Sequence, residues 1–160
     1  MSFNHFDDRG QAIMVDVSAK EPTMRSAIAA ATVTLGRETL DAILEGRTAK
    51  GDVLGVARLA GIAAAKKTPD LIPLSHPLAI HHVSIDFTSD QATGTVRVEA
   101  TVKAFERTGV EMEAMTAATV AALTIYDMCK GRDKSISIGE IVLLFKEGGK
   151  SGVYRRKGTQ

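Results

Sequence analysis

The stretch VSIDFTSDQATGTVRVEATVK, residues 83–103, decides the fold of this chain. In its first part Val83, Ile85 and Phe87 alternate with polar residues, and the alternation resumes after a turn over residues 89–94. A period of two on both sides of a short turn is typical of two half-buried strands joined as an antiparallel hairpin. In the second strand the inward positions are Val96, Val98, Ala100 and Val102, and the outward positions are Arg97, Glu99, Thr101 and Lys103.

The sequence around this hairpin predicts further strands and helices. Asp52 is a suitable amino-terminal cap for a helix, and Pro69 stops that helix. The segment 27–35 is rich in alanine, so its pattern is compatible with a helix as well as with a strand. The predicted elements are, in chain order, strands over residues 14–18 and 27–35, helices over residues 37–44 and 52–67, the hairpin, a helix over residues 109–130 and a strand over residues 136–145.

This order of elements predicts an α+β fold of the ferredoxin-like kind, an antiparallel sheet with helices packed on one face. The outer face of the sheet carries the charged side chains of the hairpin. Either solvent or a second subunit covers that face. We expect one domain over residues 14–150, a flexible amino-terminal tail over residues 1–13 and a mobile carboxy-terminal tail over residues 151–160.

Composition narrows the class of protein. The chain has 160 residues, enough for one domain with a substantial core. Twenty basic and nineteen acidic residues give a net charge of +1 without a sustained basic block, which argues against a general nucleic-acid binder. The single cysteine, Cys129, excludes an internal disulfide and suits a reducing compartment. The apolar run over residues 53–65 is too short to span a bilayer, so we expect a cytoplasmic protein with no membrane partner.

The stretch RTGVEMEAMTAATVAALTIYDMCKG, residues 107–131, predicts a helix of small residues with charged groups near both ends. At its start, Thr108 is the predicted cap and Gly109 permits the close approach of a ligand. Glu111 and Glu113 follow, where the free backbone N–H groups of a helix start gather. The alanines along the helix let a neighbouring element come near its backbone. The start of this helix is compatible with a binding surface. It is also compatible with two carboxylates that only complement the helix dipole, on a helix whose alanines are only a tight core.

Two further groups have more than one interpretation. Asp127 and Lys130 are three residues apart and share one face of the last helical turn. On chemistry alone an ordinary ion pair is favoured over a catalytic pair. His76 lies between two prolines in LIPLSHPL, so its ring is held in place. The ring is equally compatible with catalysis or ligand binding and with a hydrogen bond to a local carbonyl.

Other short motifs do not predict a site. GGKSG at residues 148–152 lacks the first glycine of a phosphate loop, since Leu144 stands at that position. His81 and His82 are adjacent on a predicted strand and point to opposite faces, which is poor geometry for one metal ion. We therefore expect no metal site.

Four long blocks of the chain resemble a known family. They are MVDVSAK at 14–20, KGDVLGVARLAGIAAAKKTPDLIPLSHPL at 50–78, RTGVEMEAMTAATVAALTIYDMCK at 107–130 and GGKSG at 148–152. In this order they are similar to the MoaC family, the cyclic pyranopterin monophosphate synthases of molybdenum cofactor biosynthesis. The resemblance implies a ferredoxin-like subunit and a homohexamer, a trimer of dimers, with active sites between subunits.

The resemblance also implies a reaction. The substrate is 3′,8-cyclo-7,8-dihydroguanosine 5′-triphosphate, and the products are cyclic pyranopterin monophosphate and pyrophosphate. A general acid/base group serves the ring rearrangement, and no redox cofactor is required. Mg²⁺ is a possible companion of the triphosphate.

The family's motifs then assign roles to residues of this chain. Asp127 is implied as the principal acid/base group and Lys130 as its catalytic companion. Two further catalytic lysines are implied, Lys50 before Gly51 and Lys146 before the final glycine pair. The implied substrate-binding residues are Leu74, Ser75, His76, Met112, Glu113, Glu111 and Arg25.

One departure from the family pattern concerns Ser75, which stands where a cysteine is usual. A hydroxyl is a far weaker nucleophile than a thiolate, so this position acts by hydrogen bonding or shape. Two rival classes remain open: a nucleotide-binding module without catalysis, and a metal-dependent phosphohydrolase. The first is disfavoured by the presence of Asp127 and Lys50, and the second by the lack of a ligand cluster.

Overall fold

The computed structural model describes residues 5–158. Nine elements follow one another in the described chain: β1 (Thr23–Thr34), α1 (Arg37–Leu44), α2 (Val53–Ala65), α3 (Thr68–Leu71), β2 (Ile80–Asp90), β3 (Thr95–Glu106), α4 (Glu111–Cys129), β4 (Ser137–Glu147) and β5 (Tyr154–Arg155).

The strands form one antiparallel sheet in the order β2-β3-β1-β4-β5. The predicted hairpin is β2 and β3, with Val83 opposite Val102 and Ile85 opposite Ala100. The order of the first four strands is that of a ferredoxin-like fold, in which the two outer strands come from the hairpin and the last strand. The α+β, ferredoxin-like prediction is therefore confirmed.

Helices α2 and α4 cover one face of the sheet. The alanines of α4 that face inward are fully buried, and they lie against the alanines of β1 and against α2. At Gly61 of α2 an added Cβ would come within 3.0 Å of the carbonyl oxygen of Ala117 on α4. At this contact the two helices pack with almost no side chain between them. The segment 27–35, which the sequence left open between helix and strand, belongs to strand β1 as far as Thr34. It is rich in alanine because β1 runs in the middle of the sheet directly beneath α4, where small side chains allow close packing.

Several local predictions were wrong. Residues 14–18 are not a strand, because in the described chain they pair with no other strand. Carbonyl groups of this segment instead accept hydrogen bonds from side chains elsewhere in the chain. Thr108 does not cap α4, which begins at Glu111 after Val110. Pro69 does not end α2 but stands in the first turn of the short helix α3.

The outer face of the sheet is charged near the start of β3 and apolar near its end. On β3, Arg97 and Glu99 form an ion pair of 2.8 Å. At the other end of β3, Phe105 lies opposite Met24 of β1, and their exposed fractions are 53% and 59%. Ala27 and Ala104 point to the face that the helices cover. Met24 and Phe105 are an odd number of positions away from them along their strands, so they point to the opposite, outer face. Among the described elements nothing covers this apolar pair.

The chain ends bear on the predicted domain limits. Tyr154 and Arg155 form β5, which pairs with Phe145 and Lys146 of β4. Residues 1–4 of the predicted amino-terminal tail and residues 159–160 of the predicted carboxy-terminal tail lie outside the described residues. The limits 14–150 and the mobility of both tails stay predictions. No helix within residues 5–158 has the length and apolar character needed to cross a membrane.

Candidate active site

Three of the predicted catalytic residues meet at the end of α4. The Asp127 carboxylate accepts a hydrogen bond of 2.5 Å from Lys130 Nζ. Lys50, from the loop before α2, places its Nζ 2.9 Å from the backbone oxygen of Asp127 and 3.5 Å from Oδ2. We name Lys50, Asp127 and Lys130 the carboxy-terminal cluster. The contact with Lys50 shows that Asp127 and Lys130 are more than an isolated helical ion pair.

The two lysines set the protonation of Asp127. The hydrogen bond from Lys130, then the charges of Lys130 and Lys50, hold the pKa of the Asp127 carboxyl below its usual value. The same hydrogen bond raises the pKa of the Lys130 ammonium. Asp127 is therefore an ionised carboxylate at neutral pH, a state in which it can accept a proton. About half of its side chain is exposed, so a ligand can reach it.

The predicted substrate-binding residues meet at the opposite end of α4. There a pocket of about 290 Å³ opens between the start of α4, the loop before β2 and residues near the amino terminus. We name it the amino-terminal pocket. The predicted residues that line it are Leu74, Ser75, His76, Glu111, Met112 and Glu113.

Glu113 is the unusual group of this pocket. Its side chain is buried, with 2% of the residue exposed, and its Oε1 has no hydrogen-bond partner. Burial, aided by the nearby charge of Glu111, raises the pKa of the Glu113 carboxyl to about 7. A buried polar atom without a partner is costly unless a ligand or water satisfies it. Glu113 is thus suited to bind hydrogen-bonding groups of a ligand in the pocket.

His76 is held by a distant carbonyl. Its Nε2 lies 2.8 Å from the backbone oxygen of Val15, and because a carbonyl only accepts, Nε2 carries the hydrogen. In the neutral ring the other nitrogen, Nδ1, is then an acceptor. The acceptor is not the local carbonyl that the sequence allowed, because Val15 is 61 residues away along the chain. This hydrogen bond holds the ring at the pocket wall.

A larger cavity of about 880 Å³ adjoins the amino-terminal pocket, and Thr108, Gly109 and Glu111 line both. Arg25 and Lys146 lie here, and Lys146 Nζ is 3.7 Å from Glu111 Oε1. We name it the cationic cavity. Its basic lining residues are Lys20, Arg25, Arg107, Lys146 and Lys150.

Three of these basic residues were not among the predicted site residues. Lys20 ends the block MVDVSAK and Arg107 begins the block RTGVEME, so their place in the family blocks was the available signal. Lys150 stands in GGKSG, a motif that does not by itself predict a site. The cavity brings all three together with Arg25 and Lys146 although they are far apart in sequence.

The structure does not unite all the predicted site residues. Glu113 and Asp127 lie fourteen residues apart on the α-helix α4, so the helical rise places their Cα atoms about 21 Å apart. The carboxy-terminal cluster thus lies at one end of the helix, and the pocket and cavity lie at the other. Within residues 5–158, no group of three or more histidine, cysteine, aspartate or glutamate side chains is arranged to hold a metal ion.

Comparison with known proteins decides the family. The model of the MoaC family matches residues 14–149, which is most of the chain. The chain belongs to the MoaC family. A cyclic pyranopterin monophosphate synthase of Geobacter sulfurreducens is 75% identical over 160 residues, covering 100% of both chains. The synthase of Geobacter metallireducens is 74% identical over 157 residues, 98% of both chains. That of Heliobacterium modesticaldum is 56% identical over 153 residues, 96% of both chains.

Proposed function

We propose that this chain is a cyclic pyranopterin monophosphate synthase, a lyase of molybdenum cofactor biosynthesis that acts in the cytoplasm. Its substrate is 3′,8-cyclo-7,8-dihydroguanosine 5′-triphosphate, and it releases pyrophosphate. The observation that carries the proposal is the Asp127 carboxylate, ionised between Lys50 and Lys130 in a chain with full-length relatives of this name. No redox cofactor is needed, because ring bonds break and re-form, protons move and a phosphoryl bond is exchanged without an overall change of oxidation state.

The carboxy-terminal cluster supplies the acid/base chemistry. Opening and closing the ring requires protons to move between ring nitrogens and sugar oxygens, and a placed acid/base group contributes about 10²- to 10⁴-fold. Asp127 accepts a proton, and the ammonium of Lys130 stabilises negative charge beside it. When a sugar hydroxyl attacks the α-phosphate, a new P–O bond forms and the bond to pyrophosphate breaks. Cations near that leaving group lower the barrier.

The pocket and the cavity bind the two ends of the substrate. A guanine-derived ring presents adjacent N–H donors, which suit the unpartnered oxygen of Glu113. The triphosphate carries several negative charges, which suit the cationic cavity with Arg25 and Lys146. Mg²⁺ can accompany the phosphate oxygens of the triphosphate.

The site is complete only when two copies of the chain meet. The carboxy-terminal cluster and the amino-terminal pocket lie about 21 Å apart along α4. The ring that rearranges is too small to touch both the cluster and the pocket of one copy. A neighbouring copy in a homohexamer, a trimer of dimers, brings its carboxy-terminal cluster to the pocket of the first. The exposed pair of Met24 and Phe105 on the outer face of the sheet supports association with a second subunit.

Single-turnover conversion of the cyclic triphosphate tests this proposal. The parent chain is expected to form pyrophosphate and the pterin product together, and Asp127→Asn is expected to form neither while its assembly is unchanged. A parent chain that binds the substrate tightly but releases no product would instead indicate a binding module. Loss of activity on chelation of metal ions, with Asp127→Asn still active, would indicate a metal-dependent phosphohydrolase.

A further inference from the structure

The Arg25 side chain joins two segments that border the cationic cavity. Its Nε donates a hydrogen bond of 3.1 Å to the backbone oxygen of Glu106, and its Nη2 donates one of 3.1 Å to that of Arg107. Both acceptors lie where β3 ends and the chain turns toward α4. Arg25 itself belongs to β1, so the guanidinium links β1 to the start of the β3–α4 connection.

A third segment, the turn after β4, lies against the same guanidinium. Gly148 and Gly149 have φ values of 99° and 74°, a region that side chains with a Cβ rarely adopt. A Cβ at Gly149 would overlap Nη1 of Arg25, and one at Gly148 would overlap the backbone oxygen of Met24. Glycine at both positions therefore lets the turn approach Arg25 directly.

The segments that meet at Arg25 carry groups of the proposed site. Lys146 lies just before the glycine turn, and its Nζ contacts Ser151 Oγ and Glu111 Oε1. The β3–α4 connection continues into Thr108 and Gly109, which line both the pocket and the cavity. A shift of the Arg25 side chain would therefore disturb the glycine turn that carries Ser151 to Lys146 Nζ, and the connection that leads to the start of α4.

We propose that Arg25 is a positioning residue, which fixes Lys146 and the β3–α4 connection around the cationic cavity. This role rests on the proposed function and differs from binding phosphate by charge alone. Two of the three guanidinium nitrogens are committed to backbone oxygens, and the third faces the glycine turn. The planar fork of arginine spans two carbonyls in a way that the single ammonium of lysine does not.

The variant Arg25→Lys separates the two roles because it keeps the charge and removes the fork. We expect kcat to fall by about 10- to 100-fold, since small displacements of reacting groups are costly. KM for the cyclic triphosphate is expected to change by less than about threefold. Arg37→Lys is the matched control, because Arg37 also donates Nε and Nη2 to a backbone oxygen, that of Ala92, away from the site. Its kinetics are expected to equal those of the parent.

Two other patterns of kcat and KM would overturn the proposal. If Arg25→Lys keeps both parent constants, charge alone suffices. If Arg25→Ala raises KM while kcat is kept, and Arg25→Lys restores KM, Arg25 binds phosphate directly.

Hydrogen exchange tests the junction without turnover. In the unliganded protein, Arg25→Lys is expected to accelerate exchange of the amides in 107–111 and 146–151, while those of α2 are unchanged. Exchange equal to the parent in both segments would disprove the positioning role even if activity fell. If the parent forms no product but Arg25→Lys still accelerates exchange in these two segments, the proposed function is wrong. Arg25 would then hold the two segments together for structure only, and the proposed role in positioning groups for catalysis would be wrong as well.

Discussion

At the residue scale, two carboxylates on one helix have opposite environments. Asp127 is exposed between two lysines, which lower its pKa. Glu113 is buried beside Glu111, and burial raises its pKa to about 7. Enzymes divide acid and base roles between carboxyl groups in this way. We therefore assign proton acceptance to Asp127. Near neutral pH, Glu113 is present in both its protonated and its ionised form.

The raised pKa of Glu113 predicts a stability change with pH. Between pH 4.5, the ordinary pKa of a glutamate, and about 7, the folded protein holds a proton on Glu113 that the unfolded chain releases. Glu113 therefore lowers the free energy of unfolding as the pH rises through this range. Glu113→Gln is expected to stabilise the protein at pH 8 by roughly 2–3 kcal/mol and to leave it nearly unchanged at pH 4. Denaturant unfolding at fixed protein concentration at both pH values measures this.

Asp127→Asn is the control variant, because Asp127 changes the stability with pH in the opposite direction from Glu113. Its lowered pKa stabilises the fold above pH 3.8, the ordinary pKa of an aspartate, and that contribution is lost as the pH falls below this value. The Asn variant is therefore expected to be less stable than the parent at neutral pH and to approach it in acid. If Glu113→Gln destabilises the protein equally at every pH, the assignment of a raised pKa is wrong.

Removal of Lys130 tests the state of Asp127 in turnover. The hydrogen bond and charge of Lys130 are the main causes of the lowered pKa of Asp127. Lys130→Gln is therefore expected to move the acid limb of kcat/KM to higher pH, besides lowering its maximum. A pH–rate profile for the parent and the variant measures this. An unmoved acid limb would mean that it belongs to another group.

At the element scale, the contact of α2 with α4 depends on the absence of a side chain at Gly61. A Cβ there would meet Ala117, Ile85 and Ala121 at 3.0–3.2 Å. Gly61→Val is expected to lower the free energy of unfolding by about 1–3 kcal/mol, because the backbone oxygen on α4 cannot move aside. The change is measured by denaturant unfolding.

Ala63→Val is the matched control on the same helix. Ala63 is exposed, so the same side chain there is expected to cost less than about 0.7 kcal/mol, the helix-propensity difference. Equal losses for the two variants would mean that helix propensity, and not the close contact, explains the effect.

Elements with strong local patterns could be predicted from the sequence. The hairpin was evident because Val96 and Val98 alternate with charged residues, and α1 was predicted with its observed ends. Residues 14–18 alternate as well, yet they form no strand because alternation does not reveal whether a partner strand exists. The cap at Thr108 failed because the chain keeps an irregular turn through Gly109 before α4 begins.

At the scale of the whole molecule, the family motifs predicted candidate site residues but not the distances between them. Asp127 and Glu113 were predicted together, and the helix α4 keeps them about 21 Å apart. The pairing of Lys50 with Asp127 and the cationic cavity depend on contacts between distant segments, which a single sequence does not reveal. The residue types were therefore predictable, and the division of the site was not visible without the structure.

A division of the site between copies predicts complementation. Asp127→Asn damages the carboxy-terminal cluster, and Lys146→Ala damages the cationic cavity at the other end of α4. Each variant alone is expected to be nearly inactive. In oligomers co-assembled from equal amounts of both, random pairing leaves about a quarter of the sites with two undamaged halves. Co-assembly of Asp127→Asn with Lys50→Ala is the control, because both lesions lie in the same cluster.

The most direct test is therefore the rate of pterin and pyrophosphate formation by these co-expressed, doubly tagged oligomers. We expect about a quarter of the parent rate for Asp127→Asn with Lys146→Ala, and no turnover for Asp127→Asn with Lys50→Ala. No recovery in the first pair, in oligomers that contain both variants, would contradict a site built from the opposite ends of two copies.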